Sequence, residues 1–127
     1  MVQAMAPPGQ EMILGVTRDP DFGPMLMVGL GGIHVEVLRD VVFSPVPIGR
    51  DEASTLLGDL DGAALLDGVR GAPPADRAAL AELIATLSRF AADHEDLIEE
   101  IDLNPVIVHP QGQGLSVVDV LIVKRKH

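Results

Sequence analysis

The sequence contains no cysteine, no tryptophan and no tyrosine, and only three phenylalanines. Without cysteine, disulfides, thiolate catalysis and cysteine zinc sites are excluded. So few aromatic rings leave little material for an aromatic ligand cage. Cations are scarce as well: nine Lys and Arg against 19 Asp and Glu give a formal net charge of −10. That balance argues against nucleic acid or an anionic membrane surface as the main partner. No apolar run approaches the roughly 20 residues of a membrane-spanning helix. The opening Met1-Val2-Gln3-Ala4-Met5 has no basic stretch of the kind that begins a secretory leader. A cytoplasmic location is the expectation from these features.

What is present describes a packed chain of one domain, residues 1–127. Hydrophobic residues make up 47% of the sequence, and mean hydropathy is +0.30, too apolar for a disordered segment. Thirteen glycines and ten prolines announce many turns. Met12 to Thr17 reads as a mostly buried strand. Arg18 to Pro24 is a turn, punctuated by Pro, Gly and Asp. Met25 to Leu30 returns as the second arm of a hairpin. Gly29-Leu30-Gly31-Gly32 interrupts it, and Ile33 to Leu38 resumes an extended pattern with His34 and Glu36 on one face. Val41-Val42-Phe43 adds a further strand, ended by Pro45 and Pro47.

The middle of the chain is helical. Asp51 or Ser44 is expected to precede a short helix over Glu52 to Leu57, stopped near Gly58, and a second short piece covers Ala63 to Leu66. The strongest helix is predicted from about Pro74 to Ala92. Leu80, Leu83, Ile84, Leu87, Phe90 and Ala91 fall at the spacing of one buried stripe, and Pro74 suits a first helical turn. The fold expected is α/β (α+β): a mixed, largely antiparallel sheet packed on two or three helices.

The most informative stretch is Glu100-Ile101-Asp102-Leu103-Asn104-Pro105. On a strand, Glu100, Asp102 and Asn104 share one face while Ile101 and Leu103 share the other. Pro105 removes a ladder donor and suggests a strand end or an edge. Pro110 to Gly114 reads as a hairpin loop, with Leu115 to Val123 returning antiparallel. Folding about Gly112 brings Asp119 opposite Asn104, to within a residue. Two carboxylates and an amide then converge on one patch, an oxygen-only set that suits Mg²⁺ with waters and phosphate oxygens as its other ligands. The same residues also describe an exposed strand face with solvated acids.

Taken in order, these motifs resemble the C-terminal half of the ATP-grasp domain of NDP-forming acyl-CoA synthetases, a family that includes ADP-forming acetyl-CoA synthetase and, more distantly, the succinyl-CoA synthetase β subunit. The pieces that carry the resemblance are Val2 to Met5, Gly9 to Val16, Asp19-Pro20-Asp21-Phe22-Gly23-Pro24, Gly29 to Val37, Leu66-Asp67-Gly68-Val69-Arg70-Gly71, Glu100 to Pro105, and Asp119. The resemblance implies a C-terminal ATP-grasp lobe that holds ATP or ADP with Mg²⁺ against a second lobe. The reaction implied interconverts acyl-CoA, ADP and phosphate with acid, CoA and ATP, through a phosphohistidine on another domain. It further implies Asn104 and Asp119 as Mg²⁺ ligands and Asp102 as the carboxylate that meets the phosphohistidine. Glu100 joins Asp102 in the catalytic set. Gln3 to Met5 would form the hinge strand beside the adenine, and Glu11 would lie near the ribose. Glu36 is read as a solvated residue of a polar face, with the resemblance offering the cleft as the alternative. Arg70, from its own setting in Gly68-Val69-Arg70-Gly71, is read either as an anion or interdomain contact or as a plain surface arginine.

The family's nucleotide-binding half, with its phosphate-contacting lysine and glycine-rich segment, has no counterpart in this sequence. Neither do the CoA-binding domain and the phosphohistidine segment. Val2 to Met5 looks like the end of a strand whose partners lie upstream, so the chain is expected to belong to a larger unit and to be inactive alone. The partners expected are nucleotide and those missing domains on another chain, with a homo-oligomer as a further expectation. The competing expectation is a truncated, non-catalytic interaction or regulatory module. His34, His94, His109 and His127 have no partners at metal-ligand or triad spacing and are read as structural or exposed. Gly29 to Gly32 does not open a helix, so it is not read as a phosphate loop.

Overall fold

A computed structural model describes residues 9–31, 40–68 and 73–126. The first strand, β1 (Gln10–Asp19), turns through Pro20 to Phe22 into β2 (Gly23–Leu30), and the two pair antiparallel from Met12 opposite Leu30 to Asp19 opposite Gly23. Arg18 is therefore a strand residue opposite Pro24 and not part of the turn. Asp19 supplies the turn chemistry, its Oδ1 accepting the N–H groups of Asp21 at 2.8 Å and Phe22 at 3.1 Å. β3 (Val41–Pro45) adds to β2, with Phe43 opposite Met27. The expected strand Ile33 to Leu38, with His34 and Glu36, lies outside the described residues.

Two helices follow. α1 (Arg50–Gly58) starts at neither Asp51 nor Ser44: Gly49 is its N-cap residue, and Glu52 reaches back so that Oε1 accepts the Gly49 N–H at 3.0 Å. After a 3-10 turn (Ala63–Asp67), α2 (Arg77–Asp93) begins three residues later than the pattern suggested. Pro74 and Ala75 are drawn into pairing with the later hairpin instead: Ala75 bridges Pro110, and the Pro74 carbonyl accepts the Gln111 N–H at 2.8 Å. The buried stripe of α2 is Leu80, Ala81, Ile84, Leu87, Ser88 and Ala91. Phe90 leaves this stripe, 40% exposed, and packs against His94 with ring centroids 4.4 Å apart. Ser88 is fully buried because its hydroxyl has a task. Its Oγ accepts the Ile48 N–H at 2.6 Å, pinning the chain between β3 and α1.

Asp76 caps α2 and also clamps the following hairpin. Its Oδ1 accepts the Ala79 N–H at 3.2 Å, while Oδ2 accepts those of Gly114 at 2.8 Å and Gly112 at 3.2 Å. Gly112 and Gly114 hold positive φ, +87° and +78°, which side chains other than glycine rarely tolerate. The backbone N–H groups of Gly114 and Ala79, joined by that of Gly112, hold the Asp76 carboxyl below the usual carboxylate range, against an opposing desolvation cost.

β4 (Ile98–Val108) closes the sheet against β1, and β5 (Leu115–Val117) and β6 (Val120–Lys124) run in succession along its other side. The order is β3-β2-β1-β4, then β5 and β6, and every described pairing is antiparallel. One face carries Met12, Leu14, Leu26, Val28, Val106 and Val108, all fully buried with Leu57, Leu80 and Ile84 of the helices. Among the described residues the opposite face is open, and the candidate site lies on it.

Candidate functional site

Strand pairing lays out the open face as rows. Phe43, Met27, Gly15, Asp102 and Leu121 are successive partners across five strands. Antiparallel partners share a face, so Asp102 stands on the open side, half-buried, with Ile101 and Leu103 turned into the core at 2% and 6% exposure. Glu100 keeps the same face opposite Val123. The alternation expected of Glu100 to Asn104 is therefore present.

The Pro105 expectation needs correction. β4 does not end there, nor is it an edge, since it is paired on both sides. Between the pairs Leu14–Leu103 and Met12–Val106, β1 spends one residue and β4 spends two, Asn104 and Pro105. This is a β-bulge, a place where a central strand tolerates a proline. The extra residue shifts the buried set from Ile101 and Leu103 to Val106 and Val108. It also turns Asn104 outward into solvent.

The returning strand breaks opposite the bulge, at Val118 and Asp119. Asn104 donates its backbone N–H to the Asp119 carbonyl at 3.2 Å, and Val118 donates to the Pro105 carbonyl at 3.0 Å. Asp119 is thus the direct neighbour of Asn104. Its Oδ1 accepts the Val120 N–H at 2.9 Å. The side chains available here are an amide and a carboxylate, both exposed, with the Asp102 carboxylate two residues along β4. Oxygen donors of this number suit a hard divalent cation that keeps waters and takes other ligands from phosphate. Among the described residues, no three His, Asp or Glu side chains gather at metal-binding distance.

Glu11 lies on β1 opposite Ile107, exposed, four residues before Gly15 and on the same face. Its carbonyl accepts the Gly31 N–H at 2.9 Å. Gln3, Met5, Glu36 and Arg70 lie outside the described residues. His109 is buried, its Nε2 2.7 Å from the Ser116 hydroxyl, and His94 Nδ1 lies 2.9 Å from the Phe90 carbonyl.

Sequence reasoning passed over Gly15. This position carries no side chain, yet it is itself buried, with Met27 and the Ile101 carbonyl close beside it next to Asp102. A Cβ there would meet the Ile101 carbonyl at 3.2 Å and Met27 Cε at 3.7 Å. A glycine inside an apolar strand was the available signal. A cavity of about 310 Å³ lined by Gly9, Gln10, Leu65, Pro73, Ala75, Val108 and Pro110 contains none of the candidate residues. Among the described residues, the candidate site is an open sheet surface.

Residues 1–123 match the family model of an ATP-grasp domain. The β subunit of ADP-forming acetate–CoA ligase II from Pyrococcus furiosus is 42% identical over 123 residues, covering 97% of this chain and 52% of that one. The ADP-forming 4-hydroxybutyrate–CoA ligase of Nitrosopumilus maritimus is 41% identical over 96% of this chain and 17% of its own length. A crystal structure of a Pyrococcus horikoshii protein superposes with a TM-score of 0.91 at 41% identity, covering 97% of this chain and 52% of that one. The dinucleotide-forming acetyl-coenzyme A synthetase 1 of Ca. Korarchaeum cryptofilum superposes with a TM-score of 0.86 at 42% identity, over 94% of this chain and 55% of that one. That structure holds coenzyme A and Mg-AMPPCP, with its phosphohistidine segment pointing towards the nucleotide-binding site. The chain spans about half the length of the P. furiosus relative it matches. On this match across nearly its whole length, the chain belongs to the ATP-grasp domain family and is homologous to the ADP-forming acyl-CoA synthetases.

Proposed function

We propose that this chain is the Mg-nucleotide-binding lobe of an ADP-forming acyl-CoA synthetase, contributing to the interconversion of acyl-CoA, ADP and phosphate with acid, CoA and ATP. The observation that carries this reading is the meeting of Asn104 and Asp119 at the β4 bulge, one step from Asp102, on the open face of the sheet.

In this reading the Asn104 and Asp119 side chains hold Mg²⁺ through oxygen. When bound there, Mg²⁺ offsets the negative charge of the nucleotide's phosphate oxygens. Asp102 orients the imidazole of a phosphohistidine carried by another domain, and Glu100 extends the same acidic line. Glu11 faces the ribose, four residues along β1 from the Asp102 row. Gln3 and Met5 line the adenine, Glu36 faces the cleft, and Arg70 contacts a phosphate or the neighbouring domain. Phosphoryl transfer depends on positioning and charge neutralisation, and the described open face offers acids but few cations. The complementary ATP-grasp lobe and the CoA-binding domains supply the rest as partners of this chain.

The test is reconstitution. The chain is mixed with the complementary lobe and CoA-binding domains of a relative, and acyl-CoA-dependent formation of ATP from ADP and phosphate is followed. Asn104→Ala and Asp119→Ala each lower turnover by about 10- to 100-fold or more, with the loss partly recovered at high Mg²⁺. Asp102→Asn abolishes turnover while leaving Mg-ADP binding in place. Full activity in all three variants contradicts the assignment.

A further inference from the structure

Nucleotide binding leaves the far edge of the sheet unexplained. β6 places four consecutive apolar residues in solvent: Val120, Leu121, Ile122 and Val123 are 52%, 54%, 47% and 38% exposed. Among the described residues its only strand partner is β4. Its core-side residues, Val120 and Ile122, pair with the buried Leu103 and Ile101, so the apolar face runs past the cover of the helices and ends bare. An open edge of this length and composition is a template for another strand.

The backbone is poised for one. At the two ends of β6 the ties to neighbouring chain run from odd-numbered residues: the Asp119 carbonyl accepts from Asn104, and Arg125 donates to the Leu97 carbonyl at 2.9 Å. In an antiparallel strand the pointing of these groups alternates. Ile122 and Lys124 therefore present their N–H and C=O groups to the open edge, and Val120 its C=O. The Val120 N–H is held at 2.9 Å by Asp119 Oδ1 and must be released for the added strand.

We propose that a second copy of this chain adds along this edge, pairing β6 with β6 antiparallel on a two-fold axis through Ile122. Charge selects the copy and the register. Asp119 and Arg125 stand three residues to either side of Ile122, so this axis sets Asp119 of each copy opposite Arg125 of the other. An axis through Leu121 faces Asp119 with Val123 and Lys124 with Val118, leaving both charges unmatched. Arg125 Nε already stands 3.8 Å from Glu99, and a guanidinium has donors enough for a second carboxylate. Lys124 to Lys126 form the densest basic run in a chain of net charge −10, at the edge where a copy's Asp119 would meet it.

The absence of native cysteine gives a clean test. In a hydrogen-bonded antiparallel pair, facing Cα atoms lie about 5.5 Å apart, within disulfide reach. Oxidised Ile122→Cys is expected to form a covalent dimer in high yield, and Ser54→Cys, exposed on α1, to stay free of the cross-link. In sedimentation the unmodified chain associates reversibly. Arg125→Glu weakens the dimer at least about tenfold, and the swapped pair Asp119→Arg with Arg125→Asp restores it. A monomer at every concentration assigns the edge to a different polypeptide and overturns the proposal. So does a dimer indifferent to Arg125→Glu, or cross-linking no better at position 122 than at position 54.

Discussion

Asp102 and Gly15 face each other across the β1–β4 ladder, a carboxylate opposite a residue with no side chain. The glycine lets the Met27 side chain and the Ile101 carbonyl lie close beside the acid, and the position is buried. Gly15→Ala must displace the Ile101 carbonyl, which a Cβ would approach to 3.2 Å, and is expected to cost about 1–2 kcal/mol. Gly15→Val adds bulk against Met27 as well and costs more. Denaturant midpoints of the two variants check the order. In the reconstituted enzyme, turnover is expected to fall further than the loss of folded protein explains, because the added methyl groups stand beside Asp102.

Asp76 makes stability depend on acid. Its folded-state carboxyl titrates below the ordinary value of about 3.9, held down first by the Gly114 and Ala79 N–H groups. The ionised form is the better bonded one. Its contribution is therefore complete above about pH 4 and is lost as pH falls through the lowered folded value. Asp76→Asn is expected to be less stable than the natural chain at pH 7. The difference should narrow below about pH 4 and close at lower pH. Urea denaturation of both chains from neutral pH down into the acid range checks this, and a difference independent of pH would be against it.

Ser88→Ala leaves the buried Ile48 N–H without its acceptor. Losing a partner in that way costs about 1–3 kcal/mol. Ser88→Thr is an informative companion, since Thr keeps the hydroxyl and adds only a methyl group. Thermal midpoints should rank the natural chain first, Thr next and Ala last if the bond matters more than the added volume.

Arg77 and Asp67 form a 3.1 Å ion pair whose side chains remain 31% and 64% exposed. Solvent screening limits such pairs to about 0–1 kcal/mol. Arg77→Ala is expected to shift the denaturation midpoint far less than Ser88→Ala, and moderate salt should erase the shift.

Much of this architecture is legible in the sequence because alternation and turn chemistry act locally. Met12, Leu14 and Val16 announce β1, and Gly112 with Gly114 announces the hairpin that sets Asp119 opposite Asn104. The bulge was not legible. Whether Pro105 ends a strand or is absorbed by one is decided by β1, whose Met12 and Leu14 fix the pairing on either side. The start of α2 was misread for a similar reason. Pro74 favours a first helical turn, yet pairing around Pro110 and a cap whose other partners lie 36 and 38 residues away prevail. Phe90 fits the apolar spacing but finds His94 instead of the core. Of the candidate residues, Glu100, Asp102 and Asn104 were grouped because a strand puts every second side chain on one face. Asp119 joined them because the hairpin returns it there, and Glu11 came by resemblance alone. Gly15 was passed over because the close approach of Ile101 and Met27 that favours a glycine there is set by the pairing of three strands.

Whether Asn104 and Asp119 hold a nucleotide-bound divalent cation decides the functional reading. The most direct measurement is ¹⁵N NMR of the chain titrated with Mn-ADP, in which the paramagnetic ion stands in for Mg²⁺ and broadens nearby amides. The expected result is broadening centred on Asn104, Asp119 and Val120, weaker at Asp102 and Gly15, and lost in Asp119→Ala. Broadening centred instead on Glu95 and Asp96 of the α2–β4 turn and the neighbouring Glu99 of β4, or unchanged by Asp119→Ala, would contradict it.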